Sequence, residues 1–149
     1  MTLQTNVINI ETRLLALLNK LKTDGDVEVI KTGTKGAINS LVAMALDWRG
    51  YTVVDDSPSA EQFELEYTLT TMVRDSNPDV QLDKMLRIFS QVIDQIYTDR
   101  TLGGTVYDTK VDTGEVDVIG EKVPDSGQGY GTMLGRQDIT VLVQIPTAT

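Results

Sequence analysis

The 149-residue chain contains no cysteine and no histidine. The first absence excludes disulfides, zinc–thiolate sites and thiol nucleophiles. The second removes the commonest general base and the commonest metal ligand. Aromatic residues are only 5% of the chain, so a core must come mainly from Val, Leu, Ile and Ala. The longest apolar run, Leu41 to Leu46, is too short to cross a bilayer. The opening MTLQTNVINI has neither the basic stretch nor the apolar segment of a signal peptide, so cytoplasmic synthesis without a membrane partner is expected. Basic residues are also few: 13 Lys and Arg stand against 22 Asp and Glu, a formal charge of -9. A nucleic-acid binder needs a basic stripe that this composition lacks. The acids are spread along the whole chain. They favour solubility, or a surface past which DNA moves without sticking, since like charges repel.

What is present fits one α+β domain spanning residues 1–149. Thr5 or Asn6 can cap a first helix, whose Val7, Ile10, Leu14, Leu17, Leu18 and Leu21 recur at helical spacing. Lys20 and Lys22 suit its C-terminal dipole, and Gly25 can supply a positive φ in the loop that follows. Residues 27–32 alternate as a short strand. Ala37 to Trp48 fits either a helix or a central strand, and the strand is the reading taken. Arg49-Gly50 reads as a turn, Tyr51 to Val54 as more strand or a loop arm, and DDSPSA as a loop. Glu61 to Arg74 alternates strictly, with Phe63, Leu65, Tyr67, Leu69 and Thr71 on one side, as in an antiparallel sheet with one wet face. Asn77-Pro78 caps a second helix. Its Leu82, Met85, Leu86, Phe89, Val92, Ile93 and Ile96 form one stripe, with Gln81, Lys84, Arg87, Gln91, Asp94 and Gln95 facing away.

The second helix ends at YTDRTLGG. Gly103 and Gly104 allow the chain to reverse there, and Leu102 is the apolar peg of the corner. Thr105 to Val111 reads as a strand, Asp112-Thr113-Gly114 as a turn, and Glu115 to Ile119 as the returning arm of a hairpin. Gly120 to Arg136 reads as a long glycine-rich loop. Its Lys122, Tyr130, Met133, Leu134 and Arg136 are the candidate partner contacts, because apolar side chains on a loop call for packing onto the domain or onto another chain. Asp138 to Ile145 alternates as the last strand. The fold expected is therefore a mostly antiparallel β-sheet with two amphipathic helices packed on one face. Its free edges are association surfaces.

The chemistry-bearing residues do not form a catalytic pattern. TGTKG lacks the phosphate-loop spacing GxxxxGK[ST]. Glu64 and Glu66 share one strand face about 7 Å apart, rather than standing across a cleft as a glycosidase pair does. Asp108, Asp112, Glu115 and Asp117 do not follow a calcium-loop spacing. The serines have neither a GxSxG elbow nor a histidine. No catalytic residue, cofactor or metal is expected, and a hydrolase acting through Glu64 or Glu66 is the least favoured reading.

In layout the chain resembles the tail terminator (tail-completion) proteins of tailed bacteriophages. The features that carry the likeness are the amphipathic first helix, the strand FELEYTLTTMV, the long second helix, the corner DRTLGGTV and the final ITVLVQI after a glycine-rich stretch. The resemblance implies a structural virion protein at the tail–neck junction. It implies a ring, usually of six copies, that caps the head-proximal end of the tail tube, stops tube polymerisation and offers a face to the neck. Its implied partners are further copies of itself, the tube protein, a neck or connector protein and, in a contractile tail, the sheath. DNA passes its lumen without specific binding. A head-to-tail connector adaptor is the alternative within the same viruses.

Overall fold

A computed structural model describes residues 2–32, 42–56, 60–75, 77–119 and 131–146. It has two helices, α1 (Leu3–Thr23) and α2 (Pro78–Thr98), and five strands: β1 (Val29–Thr32), β2 (Val42–Asp56), β3 (Ala60–Asp75), β4 (Asp108–Ile119) and β5 (Gly131–Pro146). The strands form one sheet in the order β1-β2-β3-β5-β4. Only the β1–β2 pair is parallel; the other three pairings are antiparallel. The α+β class read from the sequence is the class observed.

Strict alternation makes the sheet two-faced. Leu46, Leu69 and Gln137 lie in one row, and Val42, Val73 and Met133 in another. These rows meet Ile10, Leu14 and Leu18 of α1 and Met85, Ile88, Val92 and Ile96 of α2 in one continuous core. Tyr67, 1% exposed, sits at the centre. Its hydroxyl donates to the Val7 carbonyl at 3.0 Å and pins the first turn of α1 to β3. Burial, and then the nearby Glu11 carboxylate, push its ionisation far above the ordinary range, so the hydroxyl stays a donor.

The first helix begins one turn earlier than expected. Its cap is Thr2, whose hydroxyl accepts from the Thr5 amide at 3.1 Å, so neither Thr5 nor Asn6 serves. Starting early lets Leu3 pack against the core. Asn6 is buried instead and donates to the Thr2 carbonyl at 2.9 Å. The second helix starts as read, with Asn77 capping the Asp79 amide at 3.0 Å.

Three further readings are corrected. Arg49-Gly50 does not turn the chain: β2 runs through it with a bulge between Trp48 and Gly50. Residues 108–119 are not a hairpin, because β4 is one strand paired along β5 with a bulge between Val111 and Thr113. Thr105 to Tyr107 therefore belongs to the corner. The final strand starts at Gly131, so Met133, Leu134 and Arg136 are strand residues, and Met133 is buried in the core. Lys122 and Tyr130 lie outside the described residues, as does the stretch 37–41.

Glu11 on α1 is partly buried and faces Asp47 of β2. Burial first, and Asp47 second, raise its carboxyl above the usual range. A raised folded-state value means that stability is complete below the unfolded value, about 4.3, and falls as pH rises through the folded one. Glu11→Gln is thus expected to raise the denaturation midpoint at neutral pH, with the gain shrinking towards pH 4. Urea titrations of both proteins at the two pH values check this, and an equal gain at both would contradict it.

Candidate functional site

The corner after α2 is tightly built. Leu102, Gly103 and Gly104 have φ of 49°, 72° and 85°, three successive residues in the left-handed region. The leucine is held there because its side chain is 1% exposed, in the core. Asp99 Oδ1 accepts from the Gly103 amide at 3.0 Å, and the Thr105 hydroxyl donates to the Leu102 carbonyl at 2.7 Å. Arg13 of α1 donates to that same carbonyl at 3.2 Å. A Cβ on Gly103 would stand 2.9 Å from the arginine's Nη1. Beyond the corner, Arg100 forms a two-pronged pair with Asp108 at 2.8 and 2.9 Å and lies 4.7 Å from the Tyr97 ring centre. The hydrogen bond from Arg100 holds the Asp108 carboxyl below its ordinary range. All three residues proposed for the corner are thus brought together.

The face of the sheet away from the helices carries an open cleft of about 310 Å³, bordered among others by Arg49, Glu66, Asp112, Arg136 and Asp138. Its charges are largely matched. Arg136 lies 3.5 Å from Glu115 and 3.8 Å from Asp138, Thr68 donates to Asp138 at 3.3 Å, and Thr140 bonds to Asp112. Glu64 lies in a separate small recess with Asp108 and Lys110, so Glu64 and Glu66 do not converge. Among the described residues no group of three or more acids is placed to hold a metal ion. The four acids of β4 are strung along one strand, three of them tied to Arg100, Thr140 and Arg136. No described helix is long and apolar enough to cross a membrane.

The surface feature that stands out is apolar. The stripe read on α2 divides: Met85, Val92 and Ile96 are buried together with Ile88 and Gln81, whereas Leu82, Leu86 and Ile93 are exposed. Gln81, expected to face solvent, bonds inward to the Gly131 and Val73 carbonyls. Leu82, Leu86, Ile93 and Tyr97 instead form a second ridge that looks towards β4, with partly buried Phe89 between them. Tyr97 reaches β4, its hydroxyl accepting from the Val111 amide at 3.4 Å. Val116 continues this flank, whereas the Tyr107 hydroxyl bonds to Gln144 on the wet face of β5. On the opposite margin Trp48, Tyr51, Val53 and Val54 of β2 are exposed, as is Ile8 of α1. The Tyr51 ring packs edge-on against Phe63, 5.5 Å between centres. Among the described residues, ten of the twelve exposed large apolar side chains therefore sit on two flanks; Val80, at the start of α2, and Tyr107 are the others.

Of the residues expected to contact a partner, Leu134 is half-buried on the wet face and Arg136 is exposed and ion-paired. Neither joins the flanks. The helix periodicity already held the second ridge, since Leu82, Leu86, Phe89 and Ile93 repeat at spacings of four, three and four.

No family model and no curated protein matches this chain.

Proposed function

We propose that the chain is a ring-forming structural protein of the tail terminator class, a subunit that closes into a collar on a phage tail tube. The observation that carries the reading is the sorting of exposed apolar side chains onto two unlike flanks at opposite margins of one sheet. Unlike patches on opposite sides favour a head-to-tail contact, and a head-to-tail contact repeated by a closing rotation makes a ring. Patches of this kind, rimmed by polar residues, are typical of protein–protein contact. The layout of helices, sheet and TLGG corner supports the tail terminator class within ring-forming proteins. The net charge of -9 suits a collar through which DNA slides.

The test is assembly. The purified chain, examined by light scattering and negative-stain imaging with and without tail tubes, is expected to form rings of six that cap one tube end and halt its growth. A twelvefold ring that binds a portal complex and ignores tubes would transfer the protein to the connector class. A protein monomeric in every condition, without effect on tube length, would remove the proposal.

A further inference from the structure

The sheet ends in two edges that complement each other. Among the described residues no strand covers the outer side of β1 or of β4. β1 runs parallel to β2, and three successive antiparallel pairings make β4 run opposite to both. A second copy set alongside in the same orientation therefore brings its β1 antiparallel to this copy's β4, the arrangement that extends such a sheet.

The backbone groups at the two edges agree. The Val42 carbonyl accepts from the Glu28 amide, so residues on the helix-facing side of β2 turn their hydrogen-bonding groups towards β1. Ile30 of the parallel β1 lies on that same side, level with Met44, and so turns its own groups outward. On β4 the Val111 amide points out of the edge, where the Tyr97 hydroxyl takes it at 3.4 Å. That half of the edge is guarded. Val116 lies on the same side of the strand beyond the bulge, and turns its amide and carbonyl outward too.

We propose that neighbouring copies join through these edges: β1 of one copy adds to residues 114–117 of β4 in the next, with Ile30 paired to Val116. Side chains favour that register. Partly buried Ile30 meets exposed Val116 on the helix-facing side. On the other face Lys31 comes opposite Glu115, which already holds Arg136 on its inner side. Cation, carboxylate and cation then alternate across β5, β4 and the added strand. Sliding β1 towards the guarded half would set Lys31 against Thr113 and then against Lys110 instead.

The helices agree with the same alignment. α1 lies over β1 and β2, and α2 over β3, β5 and β4. With β1 beside β4, the next copy's α1 stands on the far flank of α2, as many strands away as the copy's own α1. Ile8, Leu15 and Lys22, spaced by sevens, lie on the face of α1 turned away from Arg13, which reaches the corner beside α2. In the next copy that face looks onto the exposed ridge. Ile8 follows Val7, whose carbonyl is tied to Tyr67, and Tyr67 shares a row with Trp48 and Val111. Exposed Ile8 and Trp48 therefore arrive level with Ile93 and Tyr97. The two helices run in opposite directions, so Leu15 comes level with Leu86 and Phe89. At the far end Lys22 comes beside Asp79 and Asp83, acids that make no ion pair among the described residues.

This rests on the ring reading and specifies its contact, and it is tested on the purified chain alone, apart from tube capping. Native mass spectrometry is expected to find assembly in the parent and its loss in Val116→Pro, which removes an outward amide and no bond within the sheet. Circular dichroism verifies that the variant is folded. Lys31→Glu and Glu115→Lys are each expected to weaken self-assembly roughly fivefold per contact, because like charges then meet. Mixed one to one, they are expected to recover assembly with the two proteins alternating, since every contact then pairs unlike charges. Ile8→Asp/Trp48→Asp and Leu86→Asp/Ile93→Asp are expected to be monomeric alone and to form a 1:1 heterodimer together, because one intact flank of each kind remains. A parent that stays monomeric at its highest soluble concentration overturns the proposal. So does an Ile8→Asp/Trp48→Asp variant that still forms dimers, since that marks a twofold contact between α2 ridges. A parent that assembles, yet is indifferent to Val116→Pro and to both charge reversals, overturns this contact and leaves the ring reading standing.

Discussion

Gly135→Val is expected to destabilise the protein by about 3 kcal/mol, near the upper end for overpacking a close-packed core. Gly135 lies on β5 opposite Thr71, in the row that faces α2. A Cβ built there would come 2.4 Å from Met85 Sδ and 2.6 and 2.7 Å from two carbons of the Phe89 ring. Met85 is fully buried, so its sulfur has no solvent to move into, and Phe89 also packs over Gly114 of β4, 3.3 Å from where that residue's Cβ would stand. Helix α2 is therefore seated on two glycines. A valine must lift the helix or push both side chains off their rotamers. At roughly 2–4 °C per kcal/mol for a chain of this size, a melting scan should resolve the loss easily. Adding Phe89→Ala to the valine variant should cost less than the sum of the two single changes, because each relieves the other's crowding. Strict additivity would show that the glycine is not a seat for the ring.

Leu102 gives the second large effect, and its sign pattern is unusual. Leu102→Ala removes a side chain that is 1% exposed, at an expected cost of about 2–5 kcal/mol, while the residue stays at φ 49°. Leu102→Gly removes the same packing and also relieves a backbone conformation that costs an L-residue about 1–2 kcal/mol. The glycine variant should therefore be the more stable of the two by about 1 kcal/mol, the reverse of the usual ranking in regular structure. Urea midpoints of the three proteins decide it. An alanine variant more stable than the glycine variant would mean that the corner relaxes out of the left-handed region once the leucine anchor is gone.

Both predictions bear on what could be read from residue order alone. The helix at 78–98, the long alternating strand, the Asn77 cap and the Leu102-Gly103-Gly104 corner were legible because each depends on neighbours within a turn or two: periodicity, a capping oxygen, a residue free to take positive φ. The flanks were legible only in part. Seven apolar positions on α2 read as one stripe, yet they cover two adjacent arcs, and periodicity does not say how wide an arc the sheet covers. With α1 beside it over β1 and β2, α2 buries one arc and leaves the other above β4.

The glycines mark the same boundary from the other direction. Asp112-Thr113-Gly114 and the run ending at Gly135 have the composition of turns, and composition reports what a backbone is permitted to do. At Gly114 and Gly135 the reason for glycine is a phenylalanine from a helix more than twenty residues earlier, which demands a bare backbone in an extended strand. Local sequence thus determined which elements exist, because helices and alternating strands are specified by near neighbours. Tertiary structure alone decided that β4 runs straight, that Met133 is core and that two unlike apolar margins face outward. Those outcomes depend on which surfaces the helices reach, a matter of distances between residues far apart in the chain.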